Sequence, residues 1–234
     1  MKAFKPPHIM ELHANGISDG DTLGFMEDTL AVYRSLYQGM APIGEWIQTR
    51  VSRIIRGWLP GWTTSHGQIA DESTPQIQSR SWDIIIHKPV PKSRGYPPPA
   101  SPDGPYPLVP RDLCCAVVDT KGRYETPGIY SKAVAFDLLN QCKIRQLDFL
   151  GPQIVPILFI VASRSTAEAI EAKGAECGIP TFVMARAIDR KQGAWTESVH
   201  WHLNSDGTGT LPMSRFREKL LWAAERWMVA NPPQ

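Results

Sequence analysis

The sequence predicts an α/β fold in which a mixed central β-sheet is flanked by helices. Three observations support this prediction. Two segments with apolar residues at helical spacing come first, two short apolar strands follow, and the second half of the chain alternates strands with helices. Strands separated by helices form parallel crossover units, and we expect the two earlier strands to pair in antiparallel fashion. Both kinds of pairing are therefore expected in one sheet.

The composition fits a single globular domain. The chain has 234 residues, of which 42% are hydrophobic and 21% are charged, and this suits one domain with a sizeable core. Its first 20 residues are polar and aperiodic, so we expect a flexible arm at 1–20 and one domain at 21–234. The formal net charge is only +2, so binding to nucleic-acid phosphates would have to come from local clusters.

The location of the protein is also predicted from composition. No stretch approaches the ~20 consecutive apolar residues that span a bilayer, and the beginning of the chain lacks the apolar run of a signal peptide. We therefore expect a cytoplasmic protein without a membrane partner. The four cysteines have no CxxC spacing, which favours neither a disulfide framework nor a zinc site.

Two helices are predicted before the first strand. In residues 21–37 apolar side chains recur at intervals of three and four, as on one face of a helix. Residues 42–58 repeat this pattern and end at the helix breakers Pro60 and Gly61. Arg50, Arg53 and Arg56 lie beside or opposite the apolar stripe, where a solvated basic face is a better interpretation than a DNA-facing one.

Short β-branched runs then predict buried strands at residues 82–87 (WDIIIH) and 113–122 (LCCAVVDTKG). Residues 89–110 between them contain nine prolines, which exclude a helix or an interior strand. We expect a long, stiffened insertion that leaves the sheet at one edge.

The second half of the chain predicts crossover units followed by a hairpin and a helix. We expect a helix at 127–147, a strand at 155–163, a helix at 165–177 and a strand at 180–185. SVHWHLN and TGTLP, joined by the turn at 205–207, predict a hairpin, and a last helix runs from 212 or 213 to 229. Core packing best explains Trp46, Trp58, Trp222 and Trp227, whereas Trp62 and Trp195 are better candidates for interfaces or base stacking.

Asp83, Asp119 and Lys121 form the candidate catalytic site. In an antiparallel pair the start of one strand lies beside the end of the next, so Asp83 can neighbour Asp119. Asp119 and Lys121 are two residues apart in an extended segment and point to the same face. Two carboxylates and an ammonium group are therefore predicted at one rim of the sheet.

These residue types suit metal-assisted hydrolysis of a phosphodiester. Mg²⁺ or Mn²⁺ binds through one or two carboxylates, and the carbonyl of Thr120 could add a further oxygen. A metal so held activates water and neutralises charge on the phosphate, while Lys121 orients the attacking water or stabilises the transition state. D-x-K alone also occurs as ordinary turn chemistry. The apolar strand that adjoins each Asp and the helical Glu45 upstream strengthen the catalytic interpretation.

With these landmarks the sequence resembles the PD-(D/E)XK nuclease superfamily, and more closely the NucC-type DNases of antiphage defence that cyclic oligonucleotides activate. The resemblance covers roughly residues 42–165. It lies in GEWI opening a helix that ends in WLP, in QSRSWDIIIH, in LVPRDLCCAVVDTKG and in VPILFIVAS.

The resemblance implies a restriction-endonuclease-like core and a role for each site residue. Asp83 is the first metal ligand, Asp119 stands where Glu is more usual as the second, and Lys121 is the catalytic lysine. The helical acid matches Glu45 by its place in GEWI, whereas Gln48 matches by its distance to Pro60. Further implications are a DNA substrate, a Mg²⁺ or Mn²⁺ cofactor, a cyclic-oligonucleotide activator, and a homo-oligomer, either trimer or hexamer.

Two other functions remain open from the sequence. A nuclease fold that has lost catalysis would serve as a binding module for nucleic acid or a nucleotide. A restriction enzyme that recognises a short sequence would carry the same catalytic residues. Nucleotide hydrolysis through a P-loop has no support, because no GxxxxGK motif is present.

Overall fold

The computed structural model describes residues 40–71, 81–96, 108–124, 149–163, 167–188, 196–199, 202–203, 209–210 and 212–232. The predicted N-terminal arm, the helices at 21–37 and 127–147 and the candidate Trp195 lie outside the described residues. Most of the proline-rich insertion also lies outside them.

In these parts of the chain the structure has three α-helices and nine β-strands. The helices are α1 (Met40–Trp58), α2 (Ala167–Glu176) and α3 (Pro212–Ala230). The strands are β1 (Thr63–Ala70), β2 (Trp82–His87), β3 (Leu108–Pro110), β4 (Cys114–Tyr124), β5 (Val155–Ser163), β6 (Thr181–Ile188), β7 (Thr196–Val199), β8 (His202–Leu203) and β9 (Gly209–Thr210).

Seven strands form one mixed sheet in the order β3-β1-β2-β4-β5-β6-β7. β2 is antiparallel to both β1 and β4, whereas β4, β5 and β6 run parallel to one another. Helix α2 supplies the crossover between β5 and β6, as the alternating pattern predicts. The predicted α/β fold with a mixed sheet is confirmed.

The register between β2 and β4 places the two predicted carboxylates together. Ile84 pairs with Val118 and Ile86 with Ala116. One further step along this register sets Asp83 opposite Asp119. The apolar alternation that buries these strands therefore also fixes where the acidic residues lie.

The core lies on both faces of the sheet. Ile84, Ile86, Ile157 and Phe159 face a large cluster that also contains Ile47, Val51 and Ile55 of α1 and Met213, Phe216 and Leu220 of α3. Ile85 and Val117 point to the opposite face. A third cluster joins Leu158 and Ile160 to Ile170 of α2. Two helices thus cover one face, and α2 covers part of the other.

Two strands were not predicted from the sequence. β1 is mostly polar (TTSHGQIA) and lacks apolar alternation, so it gave no strand signal. Its register shifts between Ser65 and Gly67, where Gly67 has a φ of 150°. β3 ends the proline-rich segment and is an edge strand, which pairs with β1 in the described part of the sheet. Pro110 is tolerated there because an edge strand leaves donors unpaired.

The predicted hairpin is divided between two sheets. β8 and β9 pair in antiparallel fashion, as predicted. Thr196–Val199, however, forms β7 and pairs with β6 at the edge of the main sheet. The remaining predicted elements in the described residues agree with the structure within a few residues at each end.

The tryptophans depart from prediction at two positions. Trp46, Trp58 and Trp227 pack against the main core, as expected. Trp222 does not, since it is 43% exposed. Trp62, predicted at an interface, is only 8% exposed because its ring meets Trp227 edge to face at 5.3 Å between centroids.

Within the described part of the chain, no helix combines the length and the apolar character needed to cross a membrane.

Phe216 tests the importance of the core between α3 and the sheet. It is fully buried and contacts the rings of Trp58, Phe159 and Phe182. We expect Phe216→Ala to lower the free energy of unfolding by about 3–5 kcal/mol, because it leaves a cavity among these rings. Denaturant unfolding would measure this. Val229→Ala, at an exposed position of the same helix, should change stability by no more than about 0.5 kcal/mol.

Candidate active site

The structure brings the predicted residues Asp83, Asp119 and Lys121 together at one rim of the sheet. Asp83 is the second residue of β2, and Asp119 and Lys121 lie in the second half of β4. The main-chain N–H of Thr120 donates a hydrogen bond to Asp83 Oδ2 at 2.7 Å, and the Thr120 hydroxyl donates to the same oxygen at 3.1 Å. Thr120 therefore holds the Asp83 carboxylate against β4.

Lys121 is paired with the second carboxylate. Its Nζ lies 3.1 Å from Asp119 Oδ2. The side chain of Lys121 is 39% exposed, whereas that of Asp119 is 11% exposed. The ammonium group therefore stands between a nearly buried acid and solvent, within reach of a molecule that approaches this rim.

The two carboxyl groups influence each other's charge. Burial raises the pKa of Asp83 above its usual value, and the negative charge of Asp119 raises it further. The Thr120 hydrogen bond and the charge of Lys121 oppose this rise in the pKa. Two acids that disfavour each other's ionisation are stabilised when a proton or a cation is shared between them.

A cleft of about 680 Å³ opens beside Asp83 between α1 and the first two strands. Its lining consists of Gly44, Glu45, Gln48, Thr49, Ser52, Arg56, Thr64, Ser65, His66 and Asp83. Glu45 and Gln48, the two candidates for the helical site position, both line it. They lie three residues apart on α1, so the same helix face presents both to the cleft.

The donor set fits a hard divalent cation. Asp83 and Asp119 offer carboxylate oxygens at one point, and Mg²⁺ is commonly held by one or two carboxylates together with waters and substrate phosphates. Among the described residues no group of three or more His, Cys, Asp or Glu side chains could enclose a metal by itself. Two carboxylates would leave the remaining positions of such a cation to water and substrate oxygens.

Strand β1 contributes site residues that sequence reasoning missed, because the strand itself carried no apolar pattern. Thr64, Ser65 and His66 all line the cleft. The Nδ1 of His66 lies 3.3 Å from the main-chain oxygen of Asp83, which can only accept, so Nδ1 carries the proton in this contact. The only sequence signal here was a histidine beside a glycine in a polar run.

Ser65, which lines the cleft, forms a buried hydrogen-bonded pair with His87. Ser65 Oγ is 2.8 Å from His87 Nε2, and His87 Nδ1 is 2.7 Å from the oxygen of Lys88. The carbonyl can only accept, so Nδ1–H donates to it, and Nε2 accepts from the Ser65 hydroxyl. Burial lowers the pKa of His87 to about 4. The neutral imidazole of His87 thus holds Ser65, the residue that precedes His66, in place.

The three arginines of α1 have different surroundings. Arg50 is half-buried, whereas Arg53 and Arg56 are exposed. Of the three, only Arg56 lines the cleft. Arg53 and Arg56 are thus solvated, as expected, and Arg56 also lies at the cleft of the candidate site.

Comparison with known proteins supports the fold. No protein-family model matches the chain, and no curated protein matches it. Among solved structures, it is similar to NucC of E. coli MS115-1 in its cAAA-bound form, with a TM-score of 0.50, 12% identity, and coverage of 86% of this chain and 89% of that one. The cAAA-bound NucC of P. aeruginosa ATCC27853 has a TM-score of 0.50 and 12% identity, with coverage of 87% of this chain and 93% of that one. The predicted NucC-like, restriction-endonuclease-like fold is confirmed.

The buried His87 predicts a pH dependence of stability. Its pKa is about 4 in the folded protein and about 6.5 in an unfolded chain, so the unfolded state binds more protons between these values. The stabilisation is full above pH 6.5 and is lost as the pH falls towards 4, by roughly 3 kcal/mol. Denaturant unfolding from pH 7 to 4, in the presence of a chelator, would measure this loss.

Two variants serve as comparisons for this loss. His87→Gln cannot take up the proton and should lack this part of the pH dependence. His66→Gln alters an exposed histidine and should keep the wild-type dependence. Equal slopes in wild type and His87→Gln would contradict the assignment of a neutral, buried His87.

Proposed function

We propose that this chain, with its NucC-like fold, is a metal-dependent endonuclease that hydrolyses phosphodiester bonds of DNA. The observation that carries this proposal is the grouping of Asp83, Asp119 and Lys121, in which Asp83 lines an open cleft and is held in place by Thr120. Two adjacent acids and a cation at a solvent-accessible rim suit phosphodiester hydrolysis better than a purely structural ion pair.

Asp83 and Asp119 would hold Mg²⁺ or Mn²⁺, with the Thr120 carbonyl as a further ligand. When bound, the metal supplies a water of lowered pKa and neutralises charge that builds on the phosphate. The two hydrogen bonds from Thr120 orient the Asp83 carboxylate, so that its geometry is set before the substrate arrives.

Lys121 would act on the substrate side of the site. Its ammonium group is anchored by Asp119 and partly exposed, so it can orient the attacking water or donate hydrogen bonds to a phosphate oxygen. Glu45 would join the site from α1, where Gln48 is the alternative occupant of the same position. Both face the cleft beside Asp83.

We base a proposal for the regulation of this protein on its similarity in fold to NucC. The two NucC structures are cAAA-bound forms, and this supports a cyclic oligonucleotide as activator of the present chain in antiphage defence. A homo-oligomer, trimer or hexamer, would be the assembly that responds to the activator. These features belong to the proposal together with the DNA substrate.

A non-catalytic binding module is the second candidate. The specific observation in its favour is that the amide of Gln48, one of the two candidates for the helical acid position, lines the cleft beside Asp83. A module of this kind would bind DNA or a nucleotide without cutting it in Mg²⁺ or Mn²⁺. A restriction enzyme would instead cut phage DNA into discrete fragments.

Metal binding by the two carboxylates can be measured without any activity. We expect Mn²⁺ to bind the wild-type protein in isothermal titration calorimetry and to raise its unfolding temperature, because the cation relieves the repulsion between Asp83 and Asp119. Asp119→Asn should abolish both effects. Glu168→Gln, a neutralisation at an exposed position of α2, should retain them. Undiminished Mn²⁺ binding by Asp119→Asn would exclude Asp119 as a ligand.

Cleavage tests the catalytic assignment directly. Plasmid DNA with Mg²⁺ would be incubated with the protein and a panel of cyclic di- and trinucleotides. We expect degradation by wild type with one of these activators, and at least a 100-fold loss of rate in Asp83→Ala, Asp119→Ala and Lys121→Ala, since each removes a group that acts on the phosphate. Lys173→Ala, on the exposed face of α2, should cut normally. A variant of the three that keeps wild-type cleavage would remove its residue from the catalytic site.

A further inference from the structure

Helix α1 has one face buried in the core and another that lines the cleft. Its apolar residues Ile47, Val51 and Ile55 are fully buried in the main core. Its polar residues at 45, 48, 49, 52 and 56 all line the cleft. Glu45 and Arg56 lie eleven residues apart, which corresponds to about 16 Å along the helix axis. The cleft wall therefore extends well beyond the immediate surroundings of Asp83.

The chemistry of this wall is uniform between its charged ends. Gln48, Thr49 and Ser52 offer neutral side-chain donors on α1, and Thr64 offers another hydroxyl from β1. Among the described residues that line the cleft, the imidazole of His66 is the one aromatic ring, and there is no aliphatic side chain. Hydroxyl, amide and guanidinium donors suit the phosphates and sugars of a nucleic-acid backbone.

We propose that the polar face of α1 binds the phosphate backbone of DNA and guides it to Asp83, with Arg56 as its principal phosphate contact. This inference rests on the proposed function and extends it, because it names the surface that holds the DNA. The expected substrate in the cleft is a DNA strand held by its backbone.

Arg56 is suited to this role by position and by chemistry. Of the arginines and lysines in the described residues, it is the one that lines the cleft. A guanidinium group remains charged at any relevant pH and can form two parallel hydrogen bonds to one phosphate. The formal net charge of the chain is only +2, so a local cation contributes more to phosphate binding here than it would on a strongly basic protein.

Arg53 provides a matched control. It is exposed like Arg56, has the same charge and lies three residues away on the same helix. It does not line the cleft. A loss of affinity caused merely by lowering the positive charge of the protein would be equal in Arg53→Ala and Arg56→Ala. A loss caused by a contact in the cleft would appear in Arg56→Ala alone.

The test is a DNA-binding titration that does not require cleavage. Fluorescence anisotropy would follow two labelled 20-base-pair duplexes of unrelated sequence, in Mg²⁺ and in a Lys121→Ala background that is expected not to cut. We expect Arg56→Ala to raise Kd about tenfold, as loss of a charged hydrogen bond does. The slope of log Kd against log salt should fall by about one. Arg53→Ala should leave both quantities unchanged, and the loss in Arg56→Ala should be equal for the two duplexes, because a phosphate contact does not depend on base sequence.

Several outcomes would overturn either this inference or the nuclease assignment. Equal Kd values for Arg56→Ala and its parent, equal losses in the two arginine variants, or no detectable binding of DNA would overturn the inference. A loss in Arg56→Ala that differs tenfold or more between the two duplexes would show that Arg56 contacts bases and would overturn the phosphate contact. If wild type cuts plasmid DNA while Arg56→Ala binds normally, this surface is wrong and the nuclease assignment stands. If Arg56→Ala binds weakly while wild type never cuts, the surface stands and the nuclease assignment fails.

Discussion

The antiparallel pairing of β2 with β4 is the constraint on which the site depends. It sets Asp83 opposite Asp119 and allows Thr120 to donate two hydrogen bonds to one carboxylate oxygen. Burial raises the pKa of Asp83, and the charge of Asp119 raises it further, so the ionised pair is unfavourable without a bound cation. The apolar residues on either side of them, buried in both strands, hold this unfavourable arrangement in place.

Burial of the strands also determines the surroundings of the two acids. Ile84, Ile85 and Ile86 follow Asp83 into the core, and Val117 and Val118 precede Asp119. The apolar run of β4 therefore ends at Asp119, and Asp83 lies where β2 meets the cleft. Helix α1 completes the cleft, because the face opposite its buried stripe is polar and meets β1 across it. One helix thus stabilises the core and supplies a wall of the site.

The position of β1 at the cleft depends on a buried polar pair. Ser65 and His87 satisfy each other's hydrogen bonds inside the protein, and His87 is further satisfied by the oxygen of Lys88. Such a pair replaces apolar packing at the register shift between Ser65 and Gly67. It connects β1 to β2 through side chains, and so the residues of β1 that line the cleft keep a defined position relative to Asp83.

The fold class and most of the site were predictable from the sequence, because both rest on local patterns. Apolar periodicity predicted α1, β2, β4, β5, α2, β6 and α3, and the positions of Asp83, Asp119 and Lys121 at strand ends predicted that they would meet. These patterns are visible because each buried face repeats at the period of its own element.

Only the tertiary structure decided the rest. β1 is polar and is a strand because β2 and β3 offer it hydrogen-bonding partners, and no local pattern encodes such partners. For the same reason His66, Ser65 and the cleft-facing position of Arg56 were not identified among residues that resemble ordinary surface. Trp62 is buried although it was expected at an interface or against bases, and Trp222 is exposed although it was expected in the core. Burial of a side chain depends on which element packs over it. The sequence by itself determined the chemistry of the rim, and the packing of α1 and β1 around it decided the shape of the cleft.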